Sequence, residues 1–231
     1  MAHPSLTQKQ GSLMPVPDNY FDSEGAWPGF NAAGNFLSKR DISILSLLMH
    51  AKSHSGGFRQ SRYLEVGSFV GTTARLAADA GFRQITCIDT WEGGTDPKDW
   101  INGLYAVEGD RIYETFKANT TGLPVTAIKD TSYNAATTFG DESQDMIFLD
   151  ADHSYEAIKQ DIEAWYPKVI PGGVLCGHDY GMETYPGVEK AVRESFPGWD
   201  IFVYGRVWMV FVKDKTAPVS FSRPIGARNF R

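Results

Sequence analysis

Between residues 60 and 212 the chain alternates short apolar, β-branched runs with stretches of helical periodicity, and no other feature narrows its fold as much. Tyr63-Leu64-Glu65-Val66, Gln84 to Asp89, Val125 to Ile128, Asp145 to Asp150 and Val174-Leu175-Cys176 read as five strands, the last entered through a turn at Gly172-Gly173. The pattern predicts helices over Thr72 to Ala80, 108–118, 132–139, Tyr155 to Tyr166 and Val188 to Phe196, with 91–103 a loop. Ahead of these, Ser38 and Asp41 mark a helix start, and Ile44, Leu45, Leu48 and Met49 fall on one face before Gly56-Gly57 ends it. The chain closes on Ile201 to Tyr204, a turn at Gly205-Arg206, and Val207 to Val212, an antiparallel hairpin. Strand–helix–strand repeats join parallel neighbours by right-handed crossovers. The expected fold class is therefore α/β: a doubly wound, mostly parallel seven-stranded sheet with a C-terminal antiparallel hairpin. Ligands of such sheets bind at the carboxyl ends of the strands, near the point where strand order reverses.

Three regions are expected: an N-terminal arm over 1–37, a folded domain over 38–213 and a loosely held tail over 214–231. The arm carries Tyr20, Phe21, Trp27, Phe30 and Phe36, too many aromatics for a purely disordered tail, and is expected to cover apolar surface and serve as a lid. A net charge of −6 argues against nucleic acid as partner. No window approaches the roughly 20 apolar residues of a membrane span. The first residues lack a basic start followed by an apolar stretch, so no signal peptide is expected and a cytoplasmic setting is. Cys87 and Cys176 sit in strand-like runs and are expected to be buried core thiols. Assembly into a homo-oligomer is left open.

Strand one runs into Glu65-Val66-Gly67-Ser68-Phe69-Val70-Gly71-Thr72-Thr73. Gly67 lets the chain turn tightly off the strand, and Gly71 lets the next helix approach with its N-terminal amides toward a ligand. Asp89, followed by Thr90, ends the next strand at about the spacing expected of a carboxylate that grips ribose hydroxyls. A nicotinamide cofactor would want a bare glycine where Phe69 stands, because its pyrophosphate needs naked backbone. S-adenosylmethionine has no phosphate and tolerates the bulk, and Glu65 can support its amino group, directly or through water. This segment resembles the first motif of class I methyltransferases, in the form seen in small-molecule O-methyltransferases. The resemblance implies a Rossmann-like fold, with Glu65, Gly67, Ser68, Gly71, Thr72, Asp89, Thr90 and Asp150 around S-adenosylmethionine. It also places Asp130 and Ser132, beyond strand three, against the adenine; helix capping explains that pair equally well.

The richest stretch reads Phe148-Leu149-Asp150-Ala151-Asp152-His153-Ser154-Tyr155-Glu156, and further on Pro171-Gly172-Gly173-Val174-Leu175-Cys176-Gly177-His178-Asp179-Tyr180. Adjacent parallel strands four and five would bring these acids and imidazoles to one rim, where they need a counter-charge or shifted pKa values. The stretch closely resembles the family that includes macrolide and aminocoumarin sugar O-methyltransferases. By that resemblance Asp150 and Asp179, with His178 where relatives often carry Asp, hold magnesium or another divalent cation. The histidine leaves three outcomes open: weaker magnesium binding, preference for a transition metal, or a member without metal. His153 is the first candidate general base and Asp152 the second, against plain helix-start roles for both.

Other features weigh less. His50 and His54 lie four apart without an acidic motif and are expected to serve the surface or packing. Glu156, Asp161 and Glu163 read as a solvated helix face. Trp91, Trp100 and Tyr105 fit either a substrate mouth or packing under the long loop. The expected activity is methylation of a hydroxyl on a small molecule, a sugar or glycoside. The rival readings are a nicotinamide-dependent oxidoreductase and a non-catalytic small-molecule-binding module of the same fold.

Overall fold

The computed structural model describes residues 37–55, 60–94 and 100–213. The expected arm (but for Leu37) and the tail lie outside them. Seven strands form one sheet: β1 (Arg62–Val66), β2 (Gln84–Asp89), β3 (Val125–Lys129), β4 (Gln144–Leu149), β5 (Val169–Gly177), β6 (Phe202–Tyr204) and β7 (Val207–Phe211). Their order is β3-β2-β1-β4-β5-β7-β6. The first five run parallel, and β7 pairs antiparallel with both β5 and β6. The expected doubly wound sheet with its terminal hairpin is thus the observed one. Order reverses between β1 and β4, where Val66 lies opposite Leu149.

Among the described residues seven α-helices cover the sheet: α1 (Lys39–Ser53), α2 (Thr72–Asp79), α3 (Trp100–Glu108), α4 (Asp110–Thr120), α5 (Ser132–Ala136), α6 (Tyr155–Trp165) and α7 (Pro186–Ser195). Period-two alternation sends Tyr63, Met146, Phe148, Cys176 and Met209 to one face, where they pack with Leu45 and Met49 of α1, Ala74 of α2 and Phe116 of α4. Leu64, Ile147, Leu149, Leu175 and Trp208 go to the other face, against Ala135, Ile162, Trp165, Val188 and Val192 of α5, α6 and α7. A sheet covered on both faces needs strands that are nearly continuously apolar, and all six residues of β4 are buried. Among the described residues no helix is long and apolar enough to cross a membrane.

The Ser38–Asp41 start forms as a capping box: the Asp41 amide donates to Ser38 Oγ at 3.3 Å, and the Ser38 amide to Asp41 Oδ2 at 2.7 Å. Asp41 is wholly buried because it also accepts the Arg206 amide at 2.8 Å, in the turn between β6 and β7.

Two expectations change. The segment read as a loop over 91–103 and a helix over 108–118 holds two helices, α3 and α4, separated by Gly109 at φ +52°. Asn102-Gly103 within α3 weakens its helical signal, while Tyr105 and Ile112 still bury their side chains. Gly172-Gly173 does not precede the fifth strand but lies inside it, since β5 begins at Val169 and shifts register against β4.

At the switch point the Asp150 amide donates to the Val66 carbonyl at 2.8 Å, and the Gly67 amide donates to the Ile88 carbonyl at 2.8 Å. Gly67 has φ +87°, and a Cβ there would fall within the van der Waals shell of the Asp150 carbonyl. Gly67→Ala is expected to destabilise the domain by more than about 4 kcal/mol, combining a forbidden backbone angle with a backbone clash. Denaturant unfolding checks this; a loss under about 1 kcal/mol would mean that β1 and β4 are not so closely apposed.

Candidate active site

The turn after β1 is built before any ligand arrives. The Phe69 amide donates to Asp89 Oδ2 at 2.8 Å and the Trp91 amide to Asp89 Oδ1 at 2.7 Å. Trp91 Nε1 returns to the Phe69 carbonyl at 2.8 Å, and Tyr105 Oη lies 3.4 Å from Asp89 Oδ2. Asp89 therefore staples the turns after β1 and β2 together. Burial raises its pKa, against the Trp91 and Phe69 amides that favour the charged form. Phe69 and Trp91 both hold positive φ, which ordinary residues rarely adopt. Gly71, at φ +80°, is the N-cap of α2 and brings no side-chain bond to it, so the first turn of that helix offers amides without a side-chain cap. Thr72 opens that helix, half-buried. Thr90 Oγ1 accepts the Glu92 amide at 3.3 Å.

Glu65 lies beneath this turn, fully enclosed. Tyr63 Oη donates to it at 2.9 Å and Cys87 Sγ lies 3.4 Å away. Burial pushes its carboxyl up to about 7, opposed by hydrogen bonds from Thr73, Tyr63, Ser68 and Cys87. Enclosed in this way, Glu65 braces the turn above it through Ser68 and Thr73. Asp130 Oδ1 accepts the Thr131 amide at 2.7 Å, and Thr131 caps α5. Ser132 turns its hydroxyl to Asp161 and Trp165. Asp161 is buried, which overturns its placing on a solvated face; Glu156 is exposed and Glu163 half-buried.

The acids and imidazoles do converge at the ends of β4 and β5. His153 Nε2 lies 2.9 Å from Asp179 Oδ2 and 3.5 Å from Asp150 Oδ1. The His153 ring stacks on Tyr185 with centroids 4.4 Å apart. Asp150, His153 and Asp179 bring one ligand atom each within 4.8 Å of one another, the composition of a candidate cation site. His178, expected as a ligand beside Asp150 and Asp179, borders that trio without being one of it. Its Nε2 lies 3.3 Å from Asp41 Oδ2 and its Nδ1 3.3 Å from Asp179 Oδ1 and 3.8 Å from Asp150 Oδ1. A ring with a carboxylate at each nitrogen is suited to carry two protons when no cation is bound. Burial alone would lower its pKa, but Asp150, Asp179 and Asp41 raise it to about 9. Asp179 and Asp41 are held below the usual carboxylate range: burial opposes this, and His153 and His178 for Asp179, His178 and Arg206 for Asp41, outweigh it. Asp152 Oδ1 accepts the Ser154 amide at 2.8 Å, the helix-start role, while its Oδ2 lies toward Gly94 of the loop after β2.

Sequence reasoning missed Asp41, Arg206 and Tyr185 as parts of this rim. Asp41 signalled only a helix cap, and nothing in a single sequence places a hairpin turn against it. Trp91 and Tyr105 prove to be packing residues, with Trp91 against Tyr113 and Phe116. The Trp100 side chain lies outside the described residues. His50 and His54 are exposed, their rings 4.5 Å apart, and Cys87 and Cys176 are free buried thiols, as expected.

These shifts fix a pH profile for stability. His178 is raised from 6.5 to about 9, so its contribution is full below 6.5 and is lost as pH rises through 9. Glu65 and Asp161, raised from 4.5 and 3.8 to about 7, weaken the fold in the same direction between those values. Asp41 and Asp179 act oppositely, contributing above 3.8 and failing as pH falls. Thermal unfolding in chelator is expected to give the highest Tm on the acidic side of neutrality, falling toward pH 9. His178→Gln should flatten the limb between 6.5 and 9 and also weaken the acidic limb, because His178 helps to hold Asp41 and Asp179 ionised; an unchanged upper limb would contradict the assignment.

Comparison with known proteins agrees with this geometry. A family model described as a methyltransferase domain matches residues 64–180. An uncharacterized protein, y4gI, of Sinorhizobium fredii is 27% identical over 200 residues; the match takes in 79% of this chain but only 19% of that protein's length. Among solved structures, a Corynebacterium glutamicum protein superposes with TM-score 0.56 at 15% identity, covering 78% of this chain and 85% of its own. The O-methyltransferase NovP gives 0.54 at 17%, covering 75% and 79%, and the calicheamicin methyltransferase CalS11 gives 0.57 at 14%, covering 91% and 100%. With its sheet order, its glycine turn and half its length matched, the chain belongs to the methyltransferase-domain family, the class I S-adenosylmethionine-dependent group that its first motif resembles.

Proposed function

We propose that this chain methylates a hydroxyl of a small molecule, a sugar or glycoside, using S-adenosylmethionine. The observation that carries this reading is the meeting of the Gly67–Gly71 turn with the Asp150–His153–Asp179 rim, joined by the hydrogen bond from the Asp150 amide to the Val66 carbonyl. The donor set suits the cofactor: the uncapped amides of α2 for its carboxylate, Asp89 with Thr90 for its ribose hydroxyls, and the Asp130–Ser132 turn for its base. Gly67, Ser68, Gly71 and Thr72 line the turn, and Asp150 stands beside Gly67, where an ammonium would gain a carboxylate. When bound, S-adenosylmethionine supplies a methyl activated by its sulfonium.

The residues of the chain supply the rest. An unactivated hydroxyl is a poor nucleophile, so its proton must be removed as it reacts. His153 takes that role: Asp179 anchors its ring at Nε2, Tyr185 clamps its face, and only a small part of the side chain reaches the cleft. Asp152, near Gly94, is placed to hold the acceptor against the loop after β2. Alignment of acceptor and methyl is the larger requirement, and the rigid turns after β1 and β2 provide it. The trio of two carboxylates and one imidazole would also hold a divalent cation, which would lower the acceptor's pKa so that water or Asp152 suffices to take the proton. A −6 chain favours a small acceptor over nucleic acid. NovP and CalS11, an O-methyltransferase and a calicheamicin methyltransferase, support the reading through a shared fold.

Calorimetry is expected to show binding of S-adenosylhomocysteine and none of NAD; the reverse would install a nicotinamide oxidoreductase instead. Incubation of the protein with a metabolite extract and isotopically labelled methyl donor should label a hydroxylated small molecule. His153→Ala should slow that labelling by about 10²–10⁴-fold, the usual worth of a general base. Labelling abolished by chelator and restored by Mn2+ or Mg2+ would transfer the activating role to a metal at Asp150, His153 and Asp179. Full activity in both His153→Ala and Asp179→Ala would remove the site.

A further inference from the structure

Asp161 has no place in the rim, yet it is a carboxylate in the core. It sits in the middle of α6 among Ile158, Ile162 and Trp165, on the face that packs against the sheet, and is 5% exposed. Burying a charge-bearing group there is costly unless it holds something. What it holds is Ser132: Ser132 Oγ lies 2.5 Å from Asp161 Oδ1, and Trp165 Nε1 lies 2.8 Å from Ser132 Oγ. An indole N–H can only donate, so the hydroxyl accepts from Trp165, and toward an ionised Asp161 it gives its own proton. The chain then runs Trp165→Ser132→Asp161.

Ser132 is the first residue of α5, directly after the turn at Asp130-Thr131. On its other side that turn is tied to β2, because the Asp130 amide donates to the Asp89 carbonyl at 3.1 Å. Within the turn Asp130 Oδ1 takes the Thr131 amide, and Thr131 Oγ1 takes the Asn134 amide. The turn is thus fastened on the cleft side through Asp89 and on the helix side through Asp161. The same helix α6 begins just beyond His153 and carries Asp161 near its middle, so one rigid element sets both the acid–imidazole rim and the turn beyond β3.

We propose that Asp161 is a positioning residue for the nucleoside end of the methyl donor: through the Ser132 hydroxyl it fixes the turn Asp130–Ser132 at the distance and angle that the base requires. This rests on the reading of the cleft as an S-adenosylmethionine site. Asp161 touches no ligand itself, and the main chain of the turn makes the contact.

Calorimetry with S-adenosylhomocysteine tests it on the full chain. Asp161→Ala and Ser132→Ala are each expected to weaken binding at least tenfold, and the double variant no further than either alone, since both cut one link. Asp161→Asn keeps an acceptor for the hydroxyl and should return affinity to within about threefold of wild type, the margin of a retained hydrogen bond. Ile158→Ala, a core truncation one turn earlier on α6, should lower Tm and leave affinity unchanged, which separates positioning from general loosening. Should Asp161→Ala fail to fold, Trp165→Phe removes the donor that aims the hydroxyl, together with part of a core ring, and is expected to weaken binding severalfold where Ile158→Ala does not. Ser132→Ala weakening binding while Asp161→Ala does not would mean that Ser132 acts on the ligand directly, and would overturn the proposal. So would unchanged affinity in Asp161→Ala, or in Trp165→Phe where that variant stands in. Wild-type protein that binds no S-adenosylhomocysteine would instead remove the reading of the cleft, and this inference with it.

Discussion

The closeness of β1 to β4 at their carboxyl ends is the constraint on which the rest of the site depends. The two strands share a ladder to its last rung, and the chain leaving β1 must then turn away without striking the chain leaving β4. Only a residue without a side chain can make that turn against the Asp150 carbonyl, and Gly67 makes it. The reversal of strand order at this point opens a crevice, and the glycine turn forms one wall of it while the residues after β4 form the other. Had the strands parted earlier, the amides of α2 and the acids of the rim would face separate regions of solvent.

Charge in the rim is arranged in alternation. Asp41, His178, Asp179 and His153 follow one another at 3.3, 3.3 and 2.9 Å, acid then imidazole then acid then imidazole. Each carboxylate of the series lies against an imidazole, which is the condition for keeping several ionisable groups in a core. Strain gathers in the same place. Phe69, Trp91 and Asp179 hold positive φ, one at the end of each of three strands that face the crevice. Such backbone persists where surrounding bonds over-determine it, and here the Asp89 carboxylate and the His153 and His178 rings do so.

The strand–helix alternation was legible because each strand is a short apolar run bounded by glycine or a capping residue, so the sheet and its terminal hairpin could be read before any coordinates. The first-motif turn was legible for the same reason, its glycines being fixed by backbone geometry rather than by distant partners. What could not be read were relations between distant segments. Asp161 has the sequence neighbours of a surface acid, and only the crossing of α6 over α5 buries it against Ser132. His178 looks like a neighbour of Asp179 alone, and only the arrival of α1 brings a carboxylate, Asp41, to its other nitrogen. The helix α3 was hidden by Asn102-Gly103, whose weak propensity is overridden by packing of Tyr105.

The bonds between Asp41 and Arg206 join positions 165 residues apart. They tie the cap of the first described helix to the turn of the last hairpin, across the outer side of His178. His178, at the end of β5, gives Asp41 one opposite charge before the hairpin is reached, and Arg206 adds the second. The outermost acid of the rim is thus enclosed by the two ends of the described chain, so a change in the β6–β7 turn would be felt at His178 without touching the crevice.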